Sequence, residues 1–273
     1  HELFSAICSV ASSYAKQGRL EAACWWFKCD PHAWQRRQKK ERSVALRAIL
    51  QGFVHRGHSA SEAVKEAEEQ CEILVTSSKE YLEEALSVLV QWEDFDEAER
   101  LHNEAANAWG KLDTASYEKI AVACAEGGFT EPVIAWLQRA IAAGESDGGT
   151  ISMKGYNGVI LALAKSGAMT AAEAVVQRFS HTLQPDAYTY QHLLQGYARS
   201  GNKARCRQIL ADMNAAMIRP SQFHLSTLIG MSAAAQDLSA CAEWLEVMES
   251  ISVEPNEVCY NQVIAACAQS GFP

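Results

Sequence analysis

Residues 183–202 read LQPDAYTYQHLLQGYARSGN, and residues 253–272 read VEPNEVCYNQVIAACAQSGF. Both stretches contain a proline followed by Asp or Asn, a tyrosine five residues after the proline, an apolar run and Ser-Gly. Self-similarity at a fixed interval is the signature of repeat proteins, in which short units stack on one another. We therefore take Tyr190 and Tyr260 as reference positions, called anchors, and look for equivalent residues along the chain.

Six further anchors fit the same pattern, at intervals of 34 to 39 residues. Eight residues after each anchor stands Ala or Val, which predicts close packing of two helices. Eleven residues after it stands Gly in six of the eight repeats, which predicts the left-handed residue that ends a helix. The anchors are Ile7, Leu46, Leu82, Tyr117, Tyr156, Tyr190, Leu225 and Tyr260.

Each repeat predicts a helix, a short turn and a second helix. The apolar residues of the first helix follow the anchor at helical spacing on one face, as in Val159, Ile160, Leu163 and Ala164. We expect the anchor to open this helix and the terminal proline to end the second one. A hairpin of this kind cannot bury its apolar face alone. The fold class we predict is all-α, a right-handed α-solenoid of stacked helix-turn-helix repeats of about 35 residues.

The composition limits the kinds of function. The chain has 273 residues, of which 48% are apolar, and no apolar run reaches the ~18 residues of a membrane span. Nine scattered cysteines form no Cys-x-x-Cys pair, so we expect reduced, buried thiols and neither a metal nor a cofactor. His-Glu-x-x-His, a nucleophile elbow and a phosphate-binding loop are all missing from the sequence, so we predict no enzyme activity.

Charge is distributed unevenly along the chain. Residues 1–60 contain ten Lys or Arg against four Asp or Glu, a net +6, whereas residues 61–118 contain four against sixteen, a net −12. The whole chain carries −9, unlike a nucleic-acid-binding surface that extends over an entire protein. Any RNA contact is therefore expected to be local.

A unit of 35 residues that has Tyr-Asn near its start, as in GYNGVILALAKSG and CYNQVIAACAQSG, and Pro-Asp or Pro-Asn at its end resembles the pentatricopeptide repeat. The first unit would fit the related tetratricopeptide repeat as well. The resemblance is strong over 151–273 and degenerate over 1–150, and it implies a single solenoid domain over 1–273. It also implies a mitochondrial or chloroplast protein that binds single-stranded RNA, with one base per repeat.

In that family two positions of a repeat select the base. The first reading position is the residue after the anchor, and the second is the residue after the terminal proline. The resemblance implies that Asn157 with Asp186 favours uracil and that Ser226 with Asn256 favours adenine, whereas it does not decode Gln191 with Ser221. The implied base-reading residues are Asn157, Asp186, Gln191, Ser221, Ser226, Asn256 and Asn261.

The earlier repeats depart from the pattern. Their first reading positions are Cys8, Arg47, Glu83 and Glu118, and two glutamates facing RNA phosphates would repel them. The basic stretch HAWQRRQKKER, 32–42, is either a phosphate or partner contact or a solvated extension of a second helix. Its candidate contact residues are Trp34, Arg36, Arg37, Lys39, Lys40 and Arg42. The stretch AAGESDGGTIS, 142–152, predicts a flexible surface connector.

Two functions remain open from the sequence. One is an organellar helical-repeat protein that reads single-stranded RNA through its later repeats. The alternative is a non-catalytic scaffold or accessory subunit that uses the solenoid for protein–protein contacts in a large organellar complex, soluble or peripheral to a membrane. The acidic 61–118 segment and the degenerate early repeats favour the scaffold, and the intact pairs after Tyr156 favour RNA reading.

Overall fold

The computed structural model of the chain describes residues 2–28, 39–110, 112–147 and 151–269. These residues form fifteen α-helices and one 3₁₀ turn, Val75–Ser77, and contain no strand. The helices are α1 (Glu2–Lys16), α2 (Leu20–Lys28), α3 (Lys39–His55), α4 (Ala60–Cys71), α5 (Lys79–Gln91), α6 (Phe95–Trp109), α7 (Thr114–Glu126), α8 (Thr130–Asp147), α9 (Met153–Ser166), α10 (Met169–Phe179), α11 (Ala187–Arg199), α12 (Lys203–Ala215), α13 (Gln222–Ala234), α14 (Leu238–Ser250) and α15 (Glu257–Gln269).

The helices belong to two compact units. Unit 1 consists of His1–Gly127 and Glu131–Ser152, and unit 2 of Gly128–Thr130 and Met153–Pro273. In unit 1 the first helix α3 packs between α1 and α5, and α5 packs against α7; in unit 2 α11 packs between α9 and α13, and α13 packs against α15. The predicted all-α fold of stacked helix-turn-helix repeats is therefore confirmed within each unit. A single domain over 1–273 stays a prediction.

The first helices begin earlier than predicted. In α5, α7, α9, α11, α13 and α15 the anchor is the fourth helical residue, so the prediction that it opens the helix was wrong. The reason is a polar N-cap four residues before the anchor. Asp113 accepts a hydrogen bond from the N–H of Ser116, Asp186 from that of Thr189, and these bonds start one extra turn.

The helix-ending position eleven residues after each anchor is left-handed in all seven repeats where it is described. Glycine occupies it in five of them, with φ between 70° and 100°. Glu93 and Gln236 adopt the same conformation, with φ of 65° and 57°. The repeat therefore imposes this turn even where the residue carries a Cβ, and the prediction from the glycines is confirmed.

Glycine at Glu93 or Gln236 should stabilise the chain. A left-handed conformation costs an L residue about 1–2 kcal/mol, part of which is offset by the entropy that glycine loses on folding. We expect Glu93→Gly or Gln236→Gly to raise the free energy of unfolding by about 0.5 kcal/mol, measured by urea denaturation. Gly167→Ala, at a φ of 84°, is the reverse control and should lower it. Loss of stability in both glycine variants would contradict the prediction.

The predicted core is confirmed. Val159, Ile160 and Leu163 are fully buried, and Trp136 and Trp244 are buried to 2% exposure, as expected for residues that pack between helices. Six of the seven described cysteines are buried, and burial raises the pKa of the Cys124 thiol to about 12. None of the helices in the described ranges is long and apolar enough to cross a bilayer.

The segment predicted as a flexible connector is partly helical. Helix α8 continues to Asp147, so the first six residues of 142–152 belong to it, and the prediction was wrong for them. Ala142, Ala143 and Glu145 have high helix propensity, and they continue the helix that precedes them. Residues 148–150 lie outside the described residues.

Candidate RNA-binding groove

The first and second reading positions of one repeat meet in unit 2. Asn157 lies in α9 and is 7% exposed, and Asp186 is the N-cap of α11. The Asn157 amide Nδ2 donates to the two carboxylate oxygens of Asp186 at 3.0 and 3.2 Å. The Thr189 hydroxyl donates to Asn157 Oδ1 at 2.6 Å. The structure thus brings this predicted pair together and adds Thr189, which the sequence analysis missed.

These hydrogen bonds leave a defined donor and acceptor. The two similar distances place one Asn157 N–H between the Asp186 oxygens, so the second amide hydrogen is left over. The Asp186 carboxylate has lone pairs beyond those used by Asn157 and the Thr189 N–H. A donor beside an acceptor complements a base edge on which an N–H adjoins a carbonyl, such as N3–H and O4 of uracil.

The pair opens into a groove between α9 and α11. Asn157 and Asp186 line it with Lys154, Tyr188 and His192, and its volume is about 530 Å³. A second groove of about 310 Å³ lies farther along α9 and α11 and extends to α13. Polar and basic side chains, Lys165, Gln195, Arg199 and Thr227, line it together with apolar residues. We call these two spaces together the unit 2 groove. Its walls carry more basic than acidic side chains, although the whole chain is acidic.

Exposed apolar side chains follow the same row of helices. Tyr188, Phe223 and Val258 each occupy the second residue of a first helix, two residues before the anchor, and are 65%, 59% and 52% exposed. The sequence analysis did not identify them, although they recur at the repeat interval of 35 residues. Large apolar groups exposed at equal intervals offer flat surfaces on which bases can stack.

The side chains of the second predicted pair, Gln191 and Ser221, form hydrogen bonds with other residues. Gln191 is 1% exposed, and its Nε2 donates to the Thr227 hydroxyl of α13 at 2.8 Å. Ser221 instead contacts His224, with 2.7 Å between its Oγ and the ring Nδ1. The two side chains are therefore not hydrogen-bonded to each other as Asn157 and Asp186 are.

The remaining predicted readers lie near α13 and α15. The Ser226 hydroxyl donates to the Phe223 carbonyl at 3.2 Å. Asn256 accepts the N–H of Cys259 at 3.0 Å and so caps α15, and Asn261 is exposed on that helix. Asp186 and Asn256 thus share one placement, at the N-terminus of a first helix.

The reading positions of unit 1 are occupied by contacts within the protein. Arg47 pairs with Glu84, and the Lys119 ammonium lies 3.3 Å from Glu83 and 2.6 Å from Glu84. Glu118 accepts hydrogen bonds from the N–H and hydroxyl of Ser152, at 2.6 and 2.8 Å. The Lys119 ammonium therefore partly neutralises Glu83, whereas the groups that donate to Glu118 are neutral. The side chain of Cys8 lies outside the described residues.

The basic stretch 32–42 is only partly described. Trp34, Arg36 and Arg37 lie outside the described residues. Lys39, Lys40 and Arg42 belong to the first turn of α3, although their side chains lie outside the described part. These three residues lie on the helix that carries the anchor Leu46, and both interpretations of the stretch stay predictions.

His192 makes the stability of unit 2 depend on pH. Burial lowers the pKa of its imidazole; Gln195 and Asp186 oppose this, and Lys165 adds to it. The unfolded chain then binds more protons than the folded one, so the contribution of His192 is complete above about pH 6.5 and falls as the pH drops. We expect the wild type to lose more free energy of unfolding than His192→Gln between about pH 7 and pH 5, in urea titrations. Equal losses would contradict this.

Known proteins resemble the chain in sequence and in fold. A model described as pentatricopeptide repeat domain matches residues 180–235 and 212–270, and one described as PPR repeat matches residues 8–29. The search of curated proteins finds no match. The crystal structure of the pentatricopeptide repeat protein PPR10 from maize has a TM-score of 0.54 and 20% identity, over 97% of this chain and 37% of that one. This likeness shows the fold.

A second solved structure is PPR10 in complex with an 18-nt psaJ RNA element. Its TM-score is 0.46 and its identity 16%, over 97% of this chain and 42% of that one. The chain therefore spans about two fifths of the length of the solved proteins it matches.

Proposed function

We propose that the chain is a pentatricopeptide repeat protein, as the models matching residues 8–29, 180–235 and 212–270 suggest, and that it binds single-stranded RNA in a mitochondrion or chloroplast. The proposed site is the unit 2 groove, in which each repeat reads one base. The role is recognition, and the proposal includes no catalytic step.

The observation that carries the proposal is the cluster of Asn157, Asp186 and Thr189. Three short polar side chains hold one another through hydrogen bonds of 2.6 to 3.2 Å at the wall of a groove, leaving one donor and one acceptor for a ligand. A base that binds there meets groups already fixed in place, which lowers the entropy cost of recognition.

The surroundings of the cluster suit the other parts of a nucleotide. Tyr188 lines the groove and Phe223 takes the same exposed place in the next repeat, so both can stack on base faces. Lys165 and Arg199 occupy equivalent places near the ends of α9 and α11, where a phosphate backbone can follow them. Local basic charge of this kind permits RNA binding by a chain whose net charge is −9.

The proposed base preferences follow the family pattern. Asn157 with Asp186 favours uracil, which the donor and acceptor left over by their hydrogen bonds also favour. Ser226 with Asn256 favours adenine, and Asn261 belongs to a further reading position.

Selection from a random RNA pool tests the proposal. The purified chain would be incubated with short single-stranded RNAs at ~150 mM salt, and the retained RNAs sequenced. We expect micromolar or tighter binding and one position rich in uracil. Asp186→Asn is the sharpest variant, because Asn keeps the N-cap yet turns one acceptor into a donor. It should change the preference at that position alone. Retention of no RNA would overturn the function.

A protein-binding scaffold is the second candidate, favoured by unit 1. Its first reading positions Arg47, Glu83 and Glu118 are engaged in ion pairs or hydrogen bonds within the chain, so they offer a base less than unit 2 does. The strongly acidic segment 61–118 suits a basic protein surface. A chain that retains no RNA yet co-purifies with a defined assembly would support this function.

A further inference from the structure

His224 occupies the first turn of α13, beside the second reading position Ser221. It is 4% exposed and is the third helical residue, as Thr189 is in α11. Its Nε2 lies 3.0 Å from the carbonyl oxygen of Ala187. Its Nδ1 lies 3.1 Å from the backbone nitrogen and 2.7 Å from the hydroxyl oxygen of Ser221.

These partners fix which ring nitrogen of His224 carries the proton. A carbonyl oxygen only accepts, so Nε2 must donate to Ala187. In the neutral imidazole the other nitrogen then has no proton and must accept. Nδ1 accordingly accepts from both the N–H and the O–H of Ser221.

The Ser221 hydroxyl group can therefore accept a hydrogen bond from a ligand but cannot donate one. Its single proton is donated to His224, so only lone pairs of Oγ remain for a ligand. The neighbouring Asn157 and Asp186 differ, because they leave a donor as well as an acceptor. The two repeats therefore present different chemistry.

Gln191, the first reading position of the same repeat, also has an acceptor without a donor. Its Nε2 donates to Thr227, whereas its Oε1 is buried and accepts no hydrogen bond from the described residues. A buried acceptor without a donor is costly, and a ligand donor would relieve that cost.

We propose that His224 sets the base preference of this repeat by holding Ser221 as an acceptor. The favoured ligand is a base with an exocyclic amino group, as in adenine, cytosine or guanine. Uracil is disfavoured because its one donor on this edge, N3–H, stands between two carbonyl groups that would meet lone pairs of Ser221. The base lies between the side chains of Tyr188 and Phe223. This inference rests on the proposed RNA-binding function, and His224 acts in it as a positioning residue.

Pool selection with His224→Thr tests the inference. Threonine is the native residue at the equivalent place in α11, and its hydroxyl can donate to Ser221 and release the serine proton. In the wild type we expect uracil to be depleted at the position adjacent to the one that Asp186→Asn changes. In His224→Thr the depletion should weaken about fivefold, as for one hydrogen bond, with total affinity nearly unchanged. His181→Thr, an exposed histidine after α10, is the matched control and should change nothing.

The possible outcomes distinguish a failure of the inference from a failure of the proposed function. RNA binding with uracil favoured at this position, or with a preference that His224→Thr leaves unchanged, overturns the inference alone. Retention of no RNA overturns the function and the inference with it. A readout that needs neither RNA nor a variant is the ¹⁵N spectrum of the histidines in the wild type. We expect a protonated Nε2 and an unprotonated Nδ1 at His224, and the reverse tautomer would overturn the inference.

Discussion

Changing Tyr188 and Phe223 to alanine together is expected to weaken the binding of single-stranded RNA by about a hundredfold or more. Stacking on an aromatic side chain contributes about 1–3 kcal/mol per base, and the double variant removes two such surfaces. Both side chains are more than half exposed, so their loss should leave the fold intact. The measurement is fluorescence anisotropy with an RNA taken from the selected pool, with circular dichroism as the check on folding.

The matched control for this double variant is Trp25→Ala. Trp25 is an aromatic residue of α2 that is 60% exposed, and it lies on a second helix rather than in the row of first-helix positions. Its loss should leave affinity within about twofold of the wild type. Equal weakening by Trp25→Ala, or less than about threefold weakening by the double variant, would rule out Tyr188 and Phe223 as stacking surfaces.

Changing Trp244 to alanine is expected to lower the free energy of unfolding of unit 2 by about 3–5 kcal/mol. The side chain is 2% exposed, and its Nε1 donates to the Ser232 hydroxyl at 3.2 Å, which ties α14 to α13. Arg207 lies over the ring, 5.9 Å from its centroid. Alanine would leave a large cavity and remove the hydrogen bond. Urea denaturation followed by circular dichroism measures the loss.

Two comparisons test whether burial is the cause. Trp244→Phe retains most of the apolar volume and should cost clearly less than Trp244→Ala. The exposed Trp25→Ala should change stability by less than about 0.5 kcal/mol. A Trp244→Ala protein that unfolds at the same urea concentration as the wild type would show that the contact between α13 and α14 contributes little.

The repeat architecture could be predicted because the same sequence pattern recurs in each repeat. The glycines predicted the left-handed turn that ends each first helix. At Glu93 and Gln236, where glycine is missing, the repeat interval alone predicted this turn. The start of each first helix was not predictable, because it depends on a hydrogen bond that a backbone N–H donates to a side chain preceding the apolar pattern. Asp186 is an example: the family motif assigned it to base reading, and its role as the N-cap of α11 was not predicted.

Site geometry was less predictable than the fold. Two residues that the family motif pairs can bond elsewhere, because long side chains reach the next helix. Asn157 is short and meets Asp186, whereas Gln191 is one methylene longer and donates to Thr227 instead. His224 at the place of Thr189 changes the neighbour of Ser221 as well. The partner of Gln191 is a side chain 36 residues away, which no local pattern contains.

Residues at the second reading position also cap helices, which limits the substitutions that could change base preference there. Asp186 and Asn256 each begin a helix by accepting the N–H of the third residue that follows. Ser, Thr, Asp and Asn cap helices well, whereas alanine in their place costs about 0.5–2 kcal/mol. A substitution that rewrites base preference there is therefore also a folding mutation. Helix capping therefore favours a few residue types at the second reading position even in the absence of RNA, so a change to another residue type is better made at the first reading position.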